Sequence, residues 1–126
     1  MQVTFTDREL DVMAVLWDLG KATVTQVRDH LNDELAYTTV LTVLRTLETK
    51  GHVAHEQVGR AHRYYPLVRR DTAGRRELKR VLTKVFQGSA ALLLTQLVSD
   101  RGLTSKEIRQ LRRLLAERLQ AKEQSS

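Results

Sequence analysis

The 126-residue chain contains no cysteine, which excludes disulfide frameworks, thiolate zinc sites, iron–sulfur clusters and cysteine nucleophiles together and leaves the redox compartment open. It has one proline and six glycines, and nowhere do they gather into a Pro- or Gly-rich linker. Neither an internal repeat nor a low-complexity tract is visible. No segment approaches the roughly 18 apolar residues that span a bilayer, and MQVTFTDREL lacks the basic-then-apolar order of a targeting signal, so the expected location is the cytoplasm. There is no Gly-rich phosphate loop, no GxSxG elbow and no pair of carboxylates in an apolar context. Nothing reads as an enzyme, and no cofactor is expected.

What is present points to a small basic helical protein. Hydrophobic residues make up 41% and charged residues 29%, too apolar for a disordered chain and sufficient for one domain, or for a small domain with an oligomerising appendage. The net charge of +6 and pI near 10.1 favour an anionic partner, and nucleic acid is the commonest for a small basic domain. The charge is unevenly spread. From Met1 to Pro66 seven Lys and Arg face nine Asp and Glu, whereas from Leu67 to Ser126 fourteen face six. Between Arg60 and Lys84 nine basic residues face only Asp71 and Glu77, so the positive field starts late in the first half.

Local signals divide the first half into three helices and a hairpin. In FTDRELDVMAVLWDLG, Thr6 and Glu9 have the spacing of a capping box and Phe5 can staple onto Leu10, while Leu10, Met13, Ala14 and Trp17 form the expected inner stripe. Thr23 and Gln26 repeat the capping signature before a short second helix with Val24, Val27 and Leu31 inward. The third helix runs from about Tyr37 to Lys50, with Gly51 as its left-handed C-cap. It buries Val40, Val43, Leu44 and Leu47, and crowds Thr38, Thr42, Arg45, Thr46 and Thr49 on its other side. His52–Val58 and Ala61–Pro66 read as strands joined by a tight turn at Gly59–Arg60.

The second half is helical throughout. Leu78, Val81, Leu82, Val85 and Phe86 line a helix from near Asp71 to before Gly88. SAALLLTQLVSD is apolar over more than half its circumference, more than one neighbour can cover. A last helix opens with a Thr104–Glu107 capping box and a Leu103–Ile108 staple, with Ile108, Leu111, Leu115 and Leu119 inward. Three helices of about fifty residues are too few to close a core alone, so a second copy is expected to complete it. The fold class is therefore mostly α with a small β-hairpin wing: a winged helix-turn-helix head over 1–68 and a three-helix dimerisation region over 69–126. The expected dimer contacts are Val81, Leu82, Val85, Phe86, Leu93, Leu94, Leu97, Ile108, Leu111 and Leu115.

Thr38, Thr39, Thr42, Arg45 and Thr46 are the candidate DNA-facing set. They share a face of the third helix, and threonine is a mediocre helix former whose short side chain lets a helix approach the groove closely. An ordinary solvated face is the bland alternative, but such a face normally carries Glu and Lys. Arg45 suits a bidentate pair to guanine; the threonines offer hydroxyls to phosphate or methyls to thymine. Tyr37 at the helix start is a phosphate donor or a local cap. Arg60 and Arg63 on the hairpin can reach phosphate beside the groove, and Lys50 either does the same or satisfies the helix dipole. His52 and His55, three apart on a strand, point to opposite faces, so with His30 and His62 they read as surface or packing residues and no metal site is expected.

ELDVMAVLW, AYTTVLTVLRTLETKG, GRAHRYYPL and the tail order VFQGS then RGLTSKEIRQLRRLL together resemble the penicillinase-repressor family, the BlaI/MecI type of winged-helix regulators. The resemblance covers nearly the whole chain. It implies a homodimer whose heads bind an inverted-repeat operator with TACA/TGTA-like half-sites in double-stranded DNA, repressing transcription, through Thr38, Thr39, Thr42, Arg45 and Thr46. Ala36 stands where other members can carry a hydroxyl. It also implies relief by proteolysis in the tail under a membrane sensor-protease of the BlaR/MecR type, by position at the Gln96–Leu97 bond. The residues there differ from the asparagine–aromatic pair of cleaved members. Two further readings compete: a winged-helix regulator in which a small ligand changes the spacing of the heads, and a winged-helix protein-interaction module that never binds DNA, which the net −2 of the head favours.

Overall fold

The structure, a computed structural model, describes residues 5–125. The elements follow in the order α1 (Asp7–Leu19), β1 (Ala22–Thr23), α2 (Val24–His30), α3 (Tyr37–Thr49), β2 (Val53–Val58), β3 (Ala61–Pro66), α4 (Arg70–Lys84), α5 (Ala90–Arg101) and α6 (Ser105–Ser125). The mostly helical architecture with a small antiparallel sheet is the expected one. Two compact units part between Lys79 and Arg80, within α4.

The expected capping boxes form because their bonds are local. Thr6 Oγ1 accepts from the Glu9 amide at 3.2 Å while the Glu9 carboxylate accepts from the Thr6 amide at 2.8 Å, and Thr23 and Gln26 do the same for α2. α3 starts without a side-chain cap, at Ala36. It ends at Gly51, whose φ of 82° is the left-handed conformation that lets the His52 amide reach the Leu47 carbonyl at 2.9 Å and the Gly51 amide reach Glu48 at 3.0 Å.

The core of the first unit joins Val12, Met13, Val15 and Leu16 of α1 to Ala22, Val24, Val27, Val40, Leu44, Leu47, Val53 and Tyr64. The stripe of α1 is thus rotated from the expected Leu10, Met13, Ala14 and Trp17: only Met13 is fully buried, and the other three are half-buried. The run DVMAVLW is apolar on several sides, so periodicity alone does not phase it. Phe5 meets Trp17 edge-on, with ring centroids 6.4 Å apart, and lies 4.7 Å from the ring of His52, which is buried.

The wing is larger than the expected hairpin. Ala22 and Thr23 form a third strand on β3, giving the order β1-β3-β2, with Ala22 opposite Tyr64 and Thr23 opposite Arg63. Two strands alone are marginal in water, and this addition ties the hairpin to the start of α2. Gly59, with φ 63°, takes the left-handed place in a two-residue turn that sets Val58 opposite Ala61. Beyond β3 the indole Nε1–H of Trp17 donates to the Val68 carbonyl at 2.8 Å, and Arg70 lies over the same indole and 2.8 Å from Asp18. Ala73 is buried, so the first turn of α4 belongs to the head's packing.

Among its described residues the second unit shows no such interior. No side chain described from Arg80 to Ser125 is buried. Val81, Val85, Leu94, Leu97, Ile108 and Leu115 are exposed, whereas Leu82, Phe86, Leu93 and Leu111 are half-buried. Gln96 and Leu97 lie inside α5, where the Gln96 amide donates to the Asp100 carboxylate one turn on. With no glycine or proline after Gly102, α6 continues to Ser125. Among the described residues no helix is long and apolar enough to cross a membrane.

Candidate nucleic-acid interface

With Val40, Leu44 and Leu47 committed to the core, α3 presents two outward stripes one residue apart. Thr38, Thr42, Thr46 and Thr49 form the first, and all are exposed. The hydroxyls of Thr42, Thr46 and Thr49 donate to the carbonyls of Thr38, Thr42 and Arg45 at 2.9, 2.9 and 3.0 Å. Their protons are therefore spent inside the helix, and what faces outward is a row of methyl groups with acceptor lone pairs. That chemistry suits thymine methyls and disfavours hydroxyl donation to phosphate. Thr39 is exposed as well.

Tyr37, Leu41, Arg45 and Glu48 make the second stripe, which faces the wing across a cleft of about 640 Å³ closed by Thr23, Val24, Thr25, His55, Arg60, Ala61, His62 and Tyr64. Here the structure joins Tyr37, Arg45 and Arg60, three of the sequence-nominated residues. Tyr64 at the cleft floor is held neutral: burial pushes its phenol up, Glu48 and Tyr37 add to the rise, and Arg45 opposes it. Arg63, next to Tyr64 on β3, falls on the other face of the sheet, opposite Glu56 and Thr23, and does not line this cleft. Lys50 is drawn away altogether, its ammonium 2.9 Å from the buried carboxylate of Glu9. Burial alone would raise the Glu9 pKa; hydrogen bonds from Lys50 and Thr6 and the charge of Lys50 outweigh it and lower the value.

Ion pairing sorts the cations of the head. Arg8 pairs with Asp11 and Asp33, Lys21 with Glu56, Arg28 with Asp29 and Lys50 with Glu9. Among the described residues Arg45, Arg60 and Arg63 are the Lys and Arg side chains before Pro66 with no carboxylate partner. The net −2 of the head therefore misdescribes the face that α3 and the wing present: the acids sit mainly on α1, on α2 and in the link to α3, and neutralise cations there.

Sequence reasoning missed Glu48, Thr25 and the histidine pair of the wing. His55 lies opposite Tyr64, and the ring of His62 stacks on it at 4.8 Å, with an interplanar angle of 11°. His55 Nδ1–H also donates to the Glu48 carboxylate at 2.5 Å. The Gly59–Arg60 turn was the available signal, because a two-residue loop fixes the register that puts His55 and His62 on one face. No sequence spacing marks the contact between helix and strand. Among the described residues no three His, Asp or Glu side chains gather as metal ligands.

The family profile described as Penicillinase repressor matches residues 5–117. The chain is 46% identical over 68 residues to the transcriptional regulator BlaI of Mycobacterium tuberculosis, covering 52% of this chain and 49% of that one, so it spans about half the length of that relative. It is 27% identical over 116 residues to the penicillinase repressor of Bacillus licheniformis, covering 89% of each chain. The solved structure described as "CopR Repressor Structure" is 33% identical, with a TM-score of 0.45 over 54% of this chain and 99% of that one. On a match that runs from Phe5 in the head to Glu117 in α6, the chain belongs to the penicillinase repressor family.

Proposed function

We propose that the protein is a DNA-binding transcriptional repressor that acts as a dimer on an inverted-repeat operator. The observation that carries this reading is the sorting of charge: among the described residues four of the cations before Pro66 are neutralised by carboxylates, and the three without a carboxylate partner are Arg45 on α3 and Arg60 and Arg63 on the wing. Arg45 and the threonine methyls read bases, while Arg60, Arg63 and Tyr37 hold phosphates. Lys50 acts chiefly inside the head. Residues 1–68 form the reading head, the start of α4 packs with it, and the helices beyond Lys79 pair the copies. Dimer formation is supported by the lack of any buried side chain among those described after Lys79 and by the exposed Val81, Val85, Leu94, Leu97, Ile108 and Leu115.

Binding of the purified chain to the DNA upstream of its own gene, where the reading expects an inverted repeat, measured at moderate salt, tests it. Selective binding over a scrambled duplex is expected, and its absence overturns repression. Relief by a BlaR/MecR-type sensor-protease acting at Gln96–Leu97 belongs to the same proposal and requires α5 to unwind locally, since the bond lies within that helix. Mass spectrometry of the chain after exposure to such a sensor would show fragments ending there; intact chain with released DNA rejects that route.

A further inference from the structure

Arg45 and Glu48 are three residues apart on α3, the spacing at which a cation and a carboxylate pair across a helix surface, and both line the cleft between α3 and the wing. Such a pair would occupy the guanidinium that is to meet a base. It does not form. Among the described residues Arg45 has no carboxylate partner, and Glu48 is held by His55 Nδ1–H from the neighbouring strand at 2.5 Å. The carboxylate can only accept, so the proton sits on Nδ1, which a neutral ring can supply as well as a charged one. The ring is held in turn: His62 stacks on one side at 4.8 Å and Tyr64 tilts against it at 5.2 Å.

We propose that His55 is a positioning residue for sequence discrimination: it sequesters Glu48, so that Arg45 stays free to read its base, with His62 fixing the plane of the His55 ring. The proposal rests on the DNA-reading role of Arg45 given above. Without the His55 hydrogen bond, Glu48 turns one step along the helix and captures Arg45. A surface pair of this kind is weak, so each head loses about twofold to fivefold, and a dimer with two reading helices loses the square of that, about fourfold to 25-fold, in discrimination.

The test is the ratio of affinities for the operator and for an operator altered at the base pair whose identity Arg45→Ala no longer distinguishes. A ratio is used because removing the Glu48 charge raises attraction to any DNA. With the alteration made in both half-sites, His55→Ala should lower the ratio about fourfold to 25-fold. His55→Asn, whose amide stands in for Nδ1–H, should keep it. The double variant His55→Ala/Glu48→Gln should recover the ratio of Glu48→Gln to within about twofold, because no carboxylate is left to capture the arginine. A purely structural His55 predicts the reverse, with the double variant no better than the single one. An unchanged ratio in His55→Ala, or no recovery in the double variant, overturns the proposal while Arg45→Ala still loses discrimination. Should Arg45→Ala itself change nothing, the reading role of Arg45 fails and the proposal with it.

Discussion

Lys50 at the C-cap of α3 lies 2.9 Å from the carboxylate of Glu9 in the first turn of α1, 41 residues earlier, and that carboxylate is almost fully removed from solvent. One side chain thus completes the capping box of α1 and anchors the end of α3. Because the folded carboxyl titrates below its usual value of 4.5, the pair stabilises fully above that pH and is lost as pH falls through the lower, folded value. Glu9→Gln keeps the cap but not the charge. Its urea midpoint should correspond to about 1 kcal/mol less stability at pH 7, with Lys50 partly exposed, and the gap from the wild type should narrow as pH falls through the lowered, folded value.

The threonine row predicts a separation of methyl from hydroxyl. Thr42→Val retains the methyl and should bind the operator within about twofold of the wild type, since threonine and valine have similar helix propensities. Thr42→Ser loses the methyl and should weaken binding by about 0.5–1 kcal/mol, a burial-sized effect for one methyl. Fluorescence anisotropy with a labelled operator decides it; equal losses in both variants would return the hydroxyl to the contact.

Among the described residues Arg60 has no carboxylate partner, and it stands at the tip of the wing. Arg60→Ala should weaken binding to operator and scrambled duplex alike and reduce the slope of log K against log salt by about 1 per head. A loss confined to the operator would instead make Arg60 a base reader.

The open faces of the second unit predict concentration-dependent assembly. Leu94→Glu should sediment as a monomer at micromolar concentration where the wild type is a dimer, and should lose about 100-fold in affinity for the inverted repeat as the second head becomes independent. Circular dichroism should still report a folded head, because its core lies within the first unit.

Trp17, the one tryptophan of the chain, holds the start of α4 through the Val68 carbonyl and carries the guanidinium of Arg70 on its face. Trp17→Phe keeps most of the packing but removes the donor. The head should lose about 1 kcal/mol, seen as a fall of several degrees in its thermal midpoint.

The sequence by itself determined what depends on neighbours along the chain. Thr6 with Glu9, Thr23 with Gln26 and Thr104 with Glu107 cap their helices because three-residue spacing suffices to close those bonds. Gly51 and Gly59 end a helix and turn a hairpin because only their backbone enters the left-handed region without strain. The core face of α3 was largely legible for the same reason: Val40, Leu44 and Leu47 recur at one helical period and are buried, whereas Val43, expected beside them, is only half-buried.

The tertiary structure decided what depends on residues far apart. It phased α1, apolar on several sides, by offering Val12 and Leu16 a partner surface that periodicity does not reveal. It made Ala22 and Thr23 a strand because β3 had an open edge beside them, although two residues carry no strand signal. It also settled the charges. Composition sums them, whereas an electrostatic interaction falls off with distance and needs a partner within a few ångströms. Folding placed a carboxylate beside Arg8, Lys21, Arg28 and Lys50, gave Glu48 to His55, and left Arg45, Arg60 and Arg63 with no acidic partner among the described residues, which no count along the sequence shows.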